Sequence, residues 1–139
     1  MFITYSPDGD PPREWDIDVE DLLEEDAERI ERQFRKTTGE PSASFDQFRL
    51  MLLSGGAAAR RVLLWYLLRQ EHPVLRYEDT PNIRRKQLKV EWSKGEYKLM
   101  LERAMEQPES SDRDQGIELL RREIATARDS LADDESGKA

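Results

Sequence analysis

Apolar positions recur along this chain with more than one period, and each period predicts a different element. At the start, Phe2, Ile3, Thr4 and Tyr5 favour a strand, and Ser6 to Pro12 supply turn residues. Trp15, Ile17 and Val19 then return with period two, so the opening reads as a hairpin whose chain comes back within Arg13 to Asp18. The period lengthens after that. Val19, Leu23, Ala27, Ile30 and Phe34 fall at helical spacing, Asp18 is placed to cap the helix, and Gly39 and Pro41 end it. Acids crowd its first turns while Arg35 and Lys36 close it, the order that the helix dipole favours.

A second helix opens at Ser44, where the serine hydroxyl and Gln47 predict a capping box. It carries Phe45, Phe48, Met51 and Leu52 and stops at Gly55-Gly56. The third helix, about Ala57 to Glu71, holds the longest unbroken apolar run, Val62 to Leu68, and Pro73 prevents its continuation. Arg76 to Lys86 is polar and irregular. Leu88, Val90 and Trp92 alternate with Lys89 and Glu91, a half-buried strand suited to join the hairpin in a small sheet. Ser93 and Glu96 predict a second capping box, before a helix with Tyr97, Met100, Leu101 and Ala104. In the last helix Ile117, Leu120, Ile124, Ala127 and Leu131 form an a/d seam of about two heptads, too short for a stable coiled coil alone.

The expected fold is therefore mainly α: a small helical bundle with a minor N-terminal β-hairpin or small sheet and an extra C-terminal helix. The expected divisions are a compact domain over 1–106, a linker over 107–112, an amphipathic helix over 113–132 and a disordered tail over 133–139.

Composition narrows what such a fold is for. Of 139 residues, 37% are charged and 37% hydrophobic, so the core is small for the length. With no cysteine there is no disulfide scaffold, thiolate metal site or cysteine nucleophile. The start lacks the basic and apolar stretches of a signal peptide, and a run of seven apolar residues falls far short of the roughly 20 that span a bilayer. A soluble, intracellular protein with no membrane partner is expected. The net charge of −8 is uneven: residues 1–59 carry 14 acids and 6 bases, 60–105 carry 6 and 11, and 106–139 carry 10 and 5. A basic middle between acidic ends suits head-to-tail pairing of copies and makes free nucleic acid a poor partner.

Catalytic chemistry is thinly represented. The single histidine, His72, lies between Glu71 and Pro73 at a helix end, where an imidazolium favours the dipole and a turn role is the simplest reading. Glu71, Glu78 and Asp79 near it lack the regular ligand spacing of a calcium loop. Gly55-Gly56 before Arg60-Arg61 is not a phosphate loop, and Arg84-Arg85-Lys86 reads as a solvated run. No catalytic, cofactor or metal residue is assigned, and the expectation is a non-enzymatic protein without a cofactor.

The apolar run poses the main question. On a helix, Leu64, Leu67 and Leu68 share one side and Val62, Trp65 and Tyr66 the other, so the helix is apolar all round. It is either the central helix of the bundle or a helix with one side completed by another chain.

The order of segments resembles a known family. A short β start with Glu14-Trp15, an acidic helix containing DAERIER, an F-x-x-F pair and a glycine stop lead into ARRVLLWYLLRQEHPVLRYEDT and a closing KVEW strand. This is similar to the tail assembly chaperones of long-tailed, siphovirus-type phages of actinobacteria and their prophages. The likeness covers about residues 1–92 and is most specific from Ala59 to Asp79; residues 93–139 carry none of it. The resemblance implies a chaperone that coats the helical tape measure protein until tail tube subunits polymerise around it. It implies residence in the host bacterial cytoplasm, absence from the mature virion, and a homo-oligomer, with a frameshifted long form and the major tail tube protein as further partners. At 139 residues the chain looks like the short form.

On that reading Leu64, Trp65 and Leu68 are expected to line or support a client groove, with Arg60 and Arg61 facing the acidic first helix of a neighbouring copy. Ile117, Leu120 and Ile124 are the second candidate partner-binding set. Two other readings stay open: a structural head–tail adaptor that remains in the virion, and a small acidic regulatory protein of antitoxin type whose C-terminal segment folds on a partner.

Overall fold

In the computed structural model, residues 1–129 are described. They form strands β1 (Phe2–Tyr5), β2 (Arg13–Asp16) and β3 (Leu88–Glu91), and helices α1 (Glu24–Thr38), α2 (Phe45–Leu53), α3 (Ala57–Arg69), α4 (Lys94–Met105) and α5 (Ser111–Thr126). The fold is mainly α with a minor antiparallel sheet, as the periodicities predict.

Two compact units divide the chain: Met1–Val19 together with Arg84 onward, and Glu20–Ile83. These units are drawn differently from the expected single domain over 1–106 with an appended helix. The physical reason is strand pairing. β3 returns to β1, so the first and last parts of the chain share a sheet, while α1 to α3 build a core of their own.

In the first unit the strand order is β2-β1-β3, which places the N-terminal strand in the centre. Ile3 lies opposite Trp15 on one side and Val90 on the other, and Phe2, Ile3 and Tyr5 are all buried. The α-amino group of Met1 donates to the Ile17 carbonyl at 2.9 Å and pairs with the Glu96 carboxylate. The same carboxylate oxygen accepts from the Ser93 N–H at 3.0 Å, and the Ser93 hydroxyl accepts from the Glu96 N–H at 3.2 Å. This is the predicted capping box of α4, with a cation added to it.

α4 packs against α5. The Arg113 guanidinium donates to the Ala104 and Met105 carbonyls at 3.2 and 3.1 Å, tying the start of α5 to the last carbonyls of α4. Ser110 caps α5, accepting from the Arg113 N–H at 3.0 Å, so the helix begins inside the expected linker. It ends at Thr126, short of 132. Beyond it the Arg128 carbonyl accepts from the Lys94 N–H, and the Arg128 guanidinium sits 3.8 Å from the Phe2 ring centroid and binds Glu14. Of the expected seam, Leu131 lies outside the described residues, as does the expected tail over 133–139.

The second unit opens on a 3₁₀ turn that begins at the last residue of the first (Val19–Asp21), so α1 starts only at Glu24 and Asp18 is not its cap. Leu23 takes the cap position without a side-chain bond and is 71% exposed, so it leaves the apolar stripe on which its spacing placed it. Ile30 and Phe34 keep their places on that stripe, and the Phe34 ring meets Phe48 edge-on at 5.6 Å. The Ser44–Gln47 capping box forms as predicted, at 2.9 and 3.2 Å. Glu31 ties α1 to the start of α2 by accepting from the Phe45 N–H at 2.9 Å. Gly55 adopts φ 82° in the turn to α3, and Gly56 N–H donates to the Met51 carbonyl at 2.8 Å. α3 packs against both α1 and α2, and every residue from Val62 to Leu68 is buried.

Candidate partner-binding site

Three side chains at successive helical steps, Arg61, Trp65 and Arg69, form one row along α3. Each donates to a main-chain carbonyl of the irregular segment that follows the helix. Arg61 reaches the Thr80 carbonyl at 3.4 Å, Trp65 Nε1 the Leu75 carbonyl at 3.1 Å, and Arg69 the Pro73 carbonyl at 2.9 Å. The segment therefore runs back along the helix as a strap. Its ring, Tyr77, stands edge-on to Trp65 at 6.3 Å, with the Arg61 guanidinium 5.0 Å from the Tyr77 centroid. The Arg69 guanidinium lies 5.2 Å from the Trp65 centroid.

The strap has little regular structure of its own. A turn at Pro73–Val74, closed by Leu75 N–H on the His72 carbonyl, is followed by one 3₁₀ turn at Tyr77–Asp79. Two buried polar atoms along it, Arg61 Nε and Thr80 Oγ1, have no hydrogen-bond partner. Neither Arg61 nor Arg69 has a carboxylate partner among the described residues. Arg76 pairs with Asp79 within the strap, at 2.9 Å.

The residues expected to bind a partner separate into three groups. Leu64, Trp65 and Leu68 are buried by the chain itself, so they do not line an open groove; they are core, and Trp65 also holds the strap. Arg60 and Arg61 are half-buried, and the Arg61 guanidinium is engaged by the strap of its own chain. Ile117 is buried and Leu120 and Ile124 are half-buried on α5, which packs against α4; the seam is at least partly spent within the chain.

The apolar side chains that do face outward are others. Leu50 and Leu53, one turn apart on α2, are 65% and 45% exposed, and Leu119 on α5 is 58% exposed. Periodicity missed them because they lie off the core stripes. Their signal was the excess of leucine in α2, where Leu50 to Leu53 supply more apolar residues than one face can bury.

Burial pushes the phenol of Tyr66 up, with the Asp26 carboxylate and a hydrogen bond to it adding to the effect. Burial likewise raises Tyr97 and Tyr5. His72 is exposed, and among the described residues no group of three or more His, Asp and Glu gathers to hold a metal ion. No helix of the described residues is long and apolar enough to cross a membrane. No family model matches the chain, and no curated protein or solved structure matches it.

Proposed function

We propose that this chain is a non-enzymatic protein-binding module, a tail assembly chaperone that holds the helical tape measure protein during phage tail morphogenesis. The observation that carries the reading is the pair Leu50 and Leu53, two large apolar side chains left outside on one face of α2. Contiguous outward apolar surface of this kind fits the apolar face of a client helix. The order of segments over residues 1–92 supports the choice of client, and with it residence in the host cytoplasm and absence from the finished virion. Assembly into a homo-oligomer belongs to the same proposal, and the unequal charge of the chain's segments supports it.

Co-expression with a tape measure protein tests the reading. The client stays in the supernatant with this chain and pellets with its Leu50→Asp, Leu53→Asp variant. A client equally insoluble in both cases would sink the proposal.

A further inference from the structure

We propose that the Arg61–Trp65–Arg69 row of α3 is a binding site for an acidic protein segment carrying an aromatic residue, held closed in this state by the chain's own residues 73–80. The inference rests on the reading of this chain as a protein-binding module, and it names the chemistry of a partner at a second surface.

The argument begins with what the row reads. All three of its donors bind main-chain carbonyls, and every peptide presents those whatever its sequence. Selectivity comes from the two other features of the site. Trp65 and Arg61 frame the ring of Tyr77, so the site selects an aromatic side chain. The two guanidinium groups carry charge with no carboxylate partner among the described residues, so the site favours acidic residues beside that ring. Within the strap, Glu78 and Asp79 follow Tyr77 directly, but Asp79 is turned onto Arg76.

The strap is an imperfect occupant. It leaves Arg61 Nε and Thr80 Oγ1 buried without partners, and buried polar atoms in that state favour any arrangement that satisfies them. It also consists of a turn, a short extended stretch and a single 3₁₀ turn, with no helix or strand to release before it moves. Its advantage is connection, since only Gln70 to His72 separate it from the end of α3 and its effective concentration there is high. Loosening the strap therefore opens the row to a segment supplied from outside.

The test uses a fluorescent peptide of residues 72–81, HPVLRYEDTP, as probe and the full chain as receptor. Tyr77→Ala, which removes the strap's ring, is expected to bind the probe at least tenfold more tightly than the unmodified chain does. Adding Arg61→Gln and Arg69→Gln is expected to abolish that binding, and a probe with Glu78→Gln and Asp79→Asn is expected to bind several-fold more weakly. A folded Tyr77→Ala protein that binds the probe no better than the unmodified chain overturns the inference, as does binding that survives loss of both arginines. If circular dichroism shows Tyr77→Ala unfolded, Tyr77→Leu is used with the same two outcomes. Probe binding together with an insoluble tape measure protein would defeat the proposed function alone; the converse would defeat this inference alone.

Discussion

The indole N–H of Trp65 donates to the main-chain carbonyl of Leu75 at 3.1 Å, joining the middle of α3 to a segment ten residues further on. One residue thus belongs to the core by its ring and to the strap by its nitrogen. Trp65→Phe keeps most of the apolar volume and removes the donor. It is expected to cost about 1 kcal/mol, the usual net contribution of a single hydrogen bond, here to the half-buried Leu75. Hydrogen exchange should quicken over residues 73–80 well before it does within α3. Equal protection of both segments in the variant would contradict the strap's dependence on this bond.

Glu96 serves two partners, the Ser93 N–H of the capping box and the α-amino group of Met1. The two roles separate by substitution. Glu96→Gln preserves the box and loses the ion pair, while Glu96→Ala loses both. Denaturant midpoints should fall in the order unmodified, Gln, Ala, with about 1 kcal/mol attributable to the cap itself. Residues placed ahead of Met1, as in an N-terminal tag, should reproduce the Gln effect. A tagged chain of unchanged stability would show that the ammonium contributes little.

Gly56 sits where the α2–α3 turn is tightest. A Cβ there would fall onto Met51 Cγ and press against the Met51 carbonyl, although the backbone angle itself suits any residue. Gly56→Ala is expected to destabilise by about 1–3 kcal/mol through overpacking, with an unchanged denaturant slope. Gly9→Ala makes a useful contrast, because the added Cβ meets nothing there and only the φ of 78° would strain the alanine.

Tyr66 gives an alkaline prediction with a definite sign. Burial, then Asp26, raises its folded pKa above the ordinary 10.0, so the folded state holds the phenolic proton more tightly than the unfolded chain does. That stability is fully present below pH 10.0 and is lost as pH rises through the folded value. Tyr66→Phe should therefore flatten the fall of stability with pH above 10, measured by urea unfolding at stepped pH. An unchanged slope would assign the alkaline loss to Tyr97 and Tyr5, which are raised by burial too.

Much of the fold was legible because local chemistry and burial agreed. Both capping boxes, at Ser44 and Ser93, were visible as residue pairs three apart, and both form. The alternation of Leu88 and Val90 predicted a strand, and β3 is there. Tertiary placement was less legible. Helical spacing put Leu23 on the core stripe, yet the 3₁₀ turn ahead of α1 delays the helix and leaves Leu23 outside. The seam of α5 read as a candidate partner-binding set, because spacing cannot show that α5 packs against α4. The strap was the least legible of all. Its attachment runs from side chains to carbonyls, and carbonyls leave no trace in a sequence.

The central claim is that Leu50 and Leu53 present a client-binding face, and it is tested most directly by light scattering on a size-exclusion column. The sample is this chain co-expressed with a tape measure protein. The account predicts a soluble complex whose mass requires several copies of this chain per client, and its disappearance when Leu50 and Leu53 are replaced by aspartate. Because both side chains face outward, the double variant should keep its helical content and its unfolding midpoint nearly unchanged. A chain that elutes alone at monomer mass, with the client left in the pellet, would contradict the claim.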